Sequence, residues 1–278
     1  MDEMTTRGQE PQYPRVPSEN INQGTVTIEA NRAIAEAQGK LVIAKRFPRN
    51  QVDAFKNVME ACQRKGIAEK AFYSYKRGGQ VVSGPTIRFA EELARCWGNI
   101  DYGIKELSQD DGKSEMQAYA WDLETNTISV QNFTNPHYRE TKDGRKKLTS
   151  DRDIYEVNAN MGARRLRSRI LAILPNDLVE SAIAECKKTL EGGNGIPLID
   201  KVRNMVNGFS RFGVTREQLE KYMGHKIEET SGTEISELVG IYNSIKEGNS
   251  KPSDWFESQL EANELSQALD KEIEQNGK

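Results

Sequence analysis

The chain has 278 residues, 29 % of them charged and 36 % hydrophobic, with a mean hydropathy of −0.74. That composition supports one ordinary core with appendages, and no apolar run approaches the roughly 20 residues a membrane-crossing helix needs. The net charge of −3 is unevenly spread: residues 196–278 hold ten Lys and Arg against fifteen Asp and Glu, a net −5, so the remainder carries +2. Three cysteines, Cys62, Cys96 and Cys186, are odd in number, widely spaced and set in apolar helical patterns, which predicts reduced, buried thiols in place of a disulfide frame. The opening MDEMTTRGQEPQYPRVPSEN lacks the basic-then-apolar layout of a secretory signal, so the expected compartment is the cytoplasm.

Residues 1–28 are rich in Pro, Gln, Asn and Glu and read as a disordered tail, because such a segment cannot offset its ordering entropy by burial. Residues 29–44 place Ala30, Ala33, Ala37 and Leu41 at helical spacing, with Gly39 as a weak point, and read as a helical arm. Asn50 caps a second helix whose stripe is Val52, Phe55, Met59 and Cys62, ending at Gly66. The segment FYSYKRGGQVVSG reads as a hairpin turning at Gly78 and Gly79, with Lys76 and Arg77 at its tip. Ser83, Gly84 and Pro85 then open a helix with Ile87, Ala90, Leu93, Ala94 and Trp97 inward and Gly98 as its stop. Strands over about 102–107, 115–122 and 128–133 form a meander. The fold class that follows is α+β: a small antiparallel sheet, hairpin plus three-stranded meander, packed on helices, with a helical module at the C-terminus.

Residues 139–169 concentrate charge, with ten Lys and Arg against five Asp and Glu. They comprise a basic, glycine-broken loop with Arg145, Lys146 and Lys147, followed by a helix over 153–174. On that helix Tyr155, Ala159, Ala163, Leu166, Ile170 and Ile173 make a continuous stripe, the expected core face. Beside it Asn158, Gly162, Arg165 and Arg169 recur at i, i+4, i+7 and i+11. Two guanidinium groups one turn apart, with glycine removing bulk between helix and ligand, suit a close approach by a nucleic-acid backbone whose phosphates each Arg can fork. The plainer alternative is that these arginines are solvated or paired with carboxylates. Arg164 and Arg167 point elsewhere on the helix, toward a neighbouring subunit. Tyr73, Tyr75, Tyr102, Tyr119, Trp121, Phe133 and Tyr138 lie in or beside the strands, and the subset facing the cations is placed to stack on bases.

The hairpin YSYKRGGQVVSG, the helix GPTIRFAEELARCWG, the meander DYGIKEL to QNFTNPH and the long helix DIYEVNANMGARRLRSRILAIL, in that order, resemble the phage single-strand annealing proteins of the RecT and Red-beta type. The resemblance covers roughly residues 50–180 and rests on element order and placement of basic residues. It implies a protein that binds single-stranded DNA and anneals complementary strands in homologous recombination without ATP, working as a ring or filament of identical subunits, in a phage-infected or bacterial cytoplasm. It also implies DNA contacts at Arg164, Arg165, Arg167 and Arg169, and more loosely at Lys76, Arg77, Arg145, Lys146 and Lys147. No GxxxxGK[ST] loop is present.

LEGGNGIP, near 191–197, reads as a linker separating a DNA-binding core (29–190) from a helical module (198–250) and an acidic tail (251–278). The module reads as three helices, over 196–209, from the Thr215–Gln218 capping box onward, and over 233–246. Its acidic charge argues against a helix-turn-helix DNA reader. The resemblance implies docking of a host single-strand binding protein or a companion exonuclease, and Trp255 and Phe256 suit a mobile docking peptide. Two further classes remain: a Mg-dependent nuclease, and a non-enzymatic DNA-binding adaptor. His137 and His225 have no partner at zinc-ligand spacing, and Asp110, Asp111, Asp122 and Glu124 lie in turns where solvation is expected, so no metal, cofactor or catalytic residue is assigned.

Overall fold

A computed structural model describes residues 23–110, 112–141, 144–193 and 197–257. Most of the expected N-terminal tail, Asp111 and the end of the acidic tail therefore lie outside the described residues. The described chain is α+β and divides into two compact units, one ending at Arg46 and one beginning at Phe47. The described part of the first is the helix α1 (Gln23–Arg46), which begins six residues before the expected start of the helical arm at residue 29.

The second unit opens with α2 (Gln51–Cys62), whose first turn is held by the Asn50 side chain accepting from Val52 N at 3.0 Å and Asp53 N at 3.4 Å. A short α3 (Lys65–Ala68) leads into the hairpin β1 (Phe72–Arg77) and β2 (Gln80–Pro85). Gly78 and Gly79 take φ of 57° and 79° at its turn, a conformation glycine adopts without strain. Helix α4 (Ile87–Trp97) starts from Thr86, whose hydroxyl accepts from Phe89 N at 3.2 Å, and stops at Gly98. The meander is β3 (Ile100–Asp110), β4 (Lys113–Asp122) and β5 (Thr127–Pro136), antiparallel with β4 central. The expected basic loop is instead a second hairpin, β6 (Tyr138–Thr141) and β7 (Gly144–Lys147), pairing Arg139 with Lys146 and Tyr138 with Lys147. Helices α5 (Asp151–Ile173) and α6 (Asn176–Lys188) complete the first layer.

One core lies between α2, α4, α5, α6 and the inner face of the meander, around Val58, Phe89, Leu93, Ile170 and Leu178. Each such side chain contributes about 1.5–3 kcal/mol by leaving water. Ala118 and Ala120 of β4 are fully buried and let α5 lie close on the sheet. Cys62 and Cys186 are buried with no disulfide, whereas Cys96 is only half-buried. A hydrogen bond that the Cys186 thiol gives to Cys62 and, after it, burial push that thiol far above its ordinary range.

Two expected faces are corrected here. On α2 the core takes Ala54, Val58, Ala61 and Cys62, leaving Val52 76 % and Phe55 40 % exposed. Asp122 and Glu124 are not solvated turn carboxylates: Arg49 donates to Asp122 Oδ1 at 2.7 Å and Glu124 Oε1 at 2.8 Å, with its guanidinium 5.0 Å from the Trp97 ring centre. Burial raises the Glu124 carboxyl, yet hydrogen bonds from Asn99 and Arg49 outweigh it and hold the group below its ordinary value.

The C-terminal helices α7 (Leu198–Ser210), α8 (Arg216–Met223) and α9 (Gly232–Lys246) enclose a second core with Phe209, Leu219, Leu238 and Ile241. The Thr215–Gln218 capping box is formed, and a second one, Ser231–Glu234, starts α9. Trp255 and Phe256 are 6 % and 3 % exposed within this core, so they belong to the module and not to a docking tail. The module packs against the first core. Asn243 donates to the carbonyls of Glu69 and Phe72 at 2.7 and 2.9 Å, and Ser244 Oγ accepts from Ser74 N at 3.2 Å. Buried Lys201 donates to Leu190 O at 2.7 Å, so the described flanks of the expected linker are fastened together.

Candidate nucleic-acid interface

The hairpin and α5 face one another across a trough of about 1120 Å³. Because alternate strand residues share a side, Tyr73, Tyr75 and Arg77 of β1 all project into it. The first turns of α4 supply Arg88 and Glu91, α5 supplies Arg164, Arg165 and Arg167, and the segment after α9 supplies Glu247, Gly248 and Asn249. Five arginines therefore meet two carboxylates. Among the described residues none of the five is ion-paired with a carboxylate: Arg164 donates to Asn249 Oδ1 at 2.7 Å, the Arg167 guanidinium lies 4.5 Å over the Tyr73 ring, and that of Arg165 lies 4.9 Å over Phe133. Planar guanidinium groups laid on rings keep most of their N–H donors for an incoming anion.

The rings are themselves ordered. Tyr73 and Tyr75 stack at 5.8 Å between centroids with 19° between planes. Tyr73 lies across its partner residue Gly84, where an added Cβ would stand 3.0 Å from the phenol oxygen. Glycine opposite tyrosine is what lets the ring lie flat along the hairpin.

The long helix is set differently from its expected rotation. Its buried line is Ile154, Asn158, Gly162, Leu166 and Ile170, while Tyr155 is 69 % exposed. Asn158, expected on the DNA-facing stripe, is instead buried in the helix–sheet contact and does not line the trough. It is 5 % exposed, accepts from Asn135 Nδ2 at 2.6 Å, and donates to Ser114 Oγ at 2.9 Å and Glu106 Oε1 at 3.3 Å; Ser114 in turn bonds His137 Nε2 at 2.8 Å. Gly162 admits the sheet rather than a ligand, since a Cβ there would stand 2.8 Å from Ile104 Cδ1. Arg169 turns to β5, with Nη1 donating to Ser129 Oγ at 3.1 Å, and does not line the trough. Arg165 lies between the two sides, on Phe133 and at the trough edge. Arg164 and Arg167, expected to point toward a neighbouring subunit, line the trough itself.

Of the remaining expected cations, Arg77 joins the trough, while Lys76 points to the opposite side of β1, 5.1 Å over the Trp255 ring. Arg145, Lys146 and Lys147 are exposed on β7, outside the trough lining. Arg88 is a trough residue that sequence reasoning missed. Its signal was its place one residue into α4, immediately after the hairpin and off the Ala90–Leu93–Ala94 stripe. No protein-family model, curated protein or solved structure matches this chain.

Proposed function

We propose that the chain binds single-stranded DNA in the arginine–tyrosine trough and promotes annealing of complementary strands in homologous recombination, without ATP, as an assembly of identical subunits. The observation that carries this reading is the trough: Arg77, Arg88, Arg164, Arg165 and Arg167 converge there, unpaired with carboxylates among the described residues, beside the stacked Tyr73 and Tyr75. Cations placed in a row neutralise phosphates irrespective of sequence, and rings beside them offer stacking to any base. Neutralised backbones repel a complementary strand less, and base pairing supplies the selectivity. Chemistry at the DNA is not required by this mechanism, and no side chain is assigned a catalytic role.

The test is fluorescence anisotropy with labelled single-stranded oligonucleotides of several sequences over a salt series. Replacing Arg88, Arg164 and Arg167 together by Ala is expected to weaken binding roughly a hundredfold for every sequence, at about 1 kcal/mol per arginine, and to flatten the salt slope by about 0.7 for each phosphate no longer neutralised. Unchanged affinity and slope in a folded triple variant overturn the site. Faster annealing by wild type without strand shortening in Mg²⁺ favours annealing, and shortening favours the nuclease alternative.

A further inference from the structure

Helix α4 borders two cavities. One is the trough; the other, of about 330 Å³, is also lined by Ile67 of α3, Lys70 just beyond it and Tyr102 of β3. Arg88 and Glu91, neighbours on the surface of α4 at i and i+3, line both, so the two cavities meet across that turn of helix. Every lining residue of the second cavity belongs to the compact unit that begins at Phe47. Its volume lies near the lower end of the roughly 300–1,000 Å³ of small-ligand sites.

The charges of this second cavity fall into two groups. Glu92 is already held within the protein: Arg95 donates to its Oε2 at 2.9 Å and its Oε1 at 2.6 Å, and Arg64 donates to Oε1 as well. The bond from Arg95 is the largest influence on the Glu92 carboxyl, which stays below its ordinary value although burial opposes this. Lys70, Arg88 and Glu91, by contrast, have no ion-pair partner among the described residues, and both cations are exposed. Beside them Tyr102 is half-buried, and burial, followed by the nearby Glu91 and Glu92 carboxylates, raises its phenol above the ordinary value. An aromatic ring next to two unpaired cations repeats on a smaller scale what the trough offers a strand. The unpaired Glu91 carboxylate repels phosphate from its own side and accepts from the amino groups of base edges.

We infer that the second cavity is a subsite for one nucleotide of the strand that leaves the trough. The backbone crosses α4 at Arg88, the phosphate lies on the side of Arg88 and Lys70, and the base rests on Tyr102 with its edge toward Glu91. This assignment rests on the DNA-binding reading of the trough and lengthens the path by a site of its own, since Lys70 and Tyr102 do not line the trough. Short strands that fill the trough alone do not reach these two residues, so the trough and the subsite are tested separately.

The experiment is fluorescence anisotropy of the full chain and its variants K70A, Y102A and Y102F with labelled oligothymidines lengthened one nucleotide at a time. Wild-type affinity is expected to rise until the trough is filled and then once more, on the order of tenfold, when the next nucleotide enters the cavity. K70A and Y102A should match wild type within about twofold on the short strands and lose most of that last rise, whereas Y102F, which keeps the ring, should retain it. If K70A and Y102A match wild type at every length, the cavity holds no nucleotide and the trough reading stands. If wild type binds no oligonucleotide at any length, the trough reading falls and the subsite with it. Should Y102A misfold by circular dichroism, ultraviolet cross-linking of wild type to a strand ending in 5-iodouracil decides. A cross-link mapped by mass spectrometry to Tyr102 supports the subsite, and cross-links confined to Tyr73 and Tyr75 overturn it.

Discussion

On its sheet-facing flank α5 holds Asn158, Gly162 and Arg169 against β3–β5, where each meets a fixed neighbour: the Asn135–Ser114–Glu106 set, Ile104 and Ser129. On its trough flank, Arg164 and Arg167 meet an asparagine amide and a tyrosine ring, with no paired carboxylate among the described residues. Four arginines within six residues thus divide between two surroundings, and residue type does not say which is which. What separates them is the quality of the local fit. A side chain fastened within a helix–sheet contact serves folding, whereas a cation resting on a ring beside a cavity remains available. If that division is right, substitutions on the sheet flank change stability and leave DNA affinity per folded molecule alone, and those on the trough flank do the reverse.

The largest effect is expected at Gly162. A leucine there drives side-chain atoms into Ile104, whose Cδ1 already stands 2.8 Å from an ideal Cβ position. G162L should lower stability by about 3 kcal/mol, roughly 5–10 °C in melting temperature, read by differential scanning calorimetry. A melting temperature within a degree of wild type, accompanied by abolished DNA binding, would return Gly162 to the ligand side and break the division.

Asn158 comes next. N158A removes the acceptor of Asn135 and the donor to Ser114 and Glu106 in a site that is 5 % exposed. Leaving those groups unpaired should cost about 1–2 kcal/mol in urea unfolding, with oligonucleotide affinity of the folded fraction unchanged.

The two flanks also show what was legible before the structure. Capping and turn chemistry are local, so Asn50, Thr215 with Gln218, and the Gly78–Gly79 turn could be read from neighbours in sequence, and they fix where elements begin. The rotation of α5 is not local. Its helix offers two adjacent apolar lines that share Leu166 and Ile170, one continued by Tyr155 and Ala159, the other by Ile154, Asn158 and Gly162. The purely apolar line is not the one buried, because Asn158 finds its partners on β3–β5 and Gly162 lets Ile104 approach, and both facts belong to the sheet. The same ambiguity turned α2, where Val52 and Phe55 outrank Ala54 and Ala61 in hydrophobicity but not in fit. Trp255 and Phe256 looked like a tail because the residues around them are polar, yet the aromatic edges of Phe209 and Tyr222 receive them. The trough needed the hairpin, α4, α5 and the end of α9 together, and only the cations and rings of the hairpin and the cations of α5 were visible beforehand.

A finer comparison sets Arg164 against Arg169, five residues apart on one helix. R164A should weaken binding on the order of fivefold and reduce the salt slope by about 0.7. R169A, without its bond to Ser129 at 3.1 Å, should change affinity less than twofold and show its effect in thermal unfolding. Equal drops in affinity from both would mean that the trough wall extends across the sheet edge and that the flanks are one surface.

The smallest expected effect probes the trough from its far wall. Asn249 follows α9 and accepts from Arg164 Nη2 at 2.7 Å, so before a phosphate can take both prongs of that guanidinium the asparagine must yield. N249A removes the competitor without removing a cation. Its cost in stability is slight because the pair is solvent-exposed, where such bonds are largely replaced by water. Affinity should rise by up to about twofold, and the salt slope should stay at its wild-type value, since the number of cations meeting phosphate is unchanged. A fall in affinity would instead show that Asn249 aims Arg164 at the backbone, which would make the C-terminal module part of the grip rather than a wall beside it.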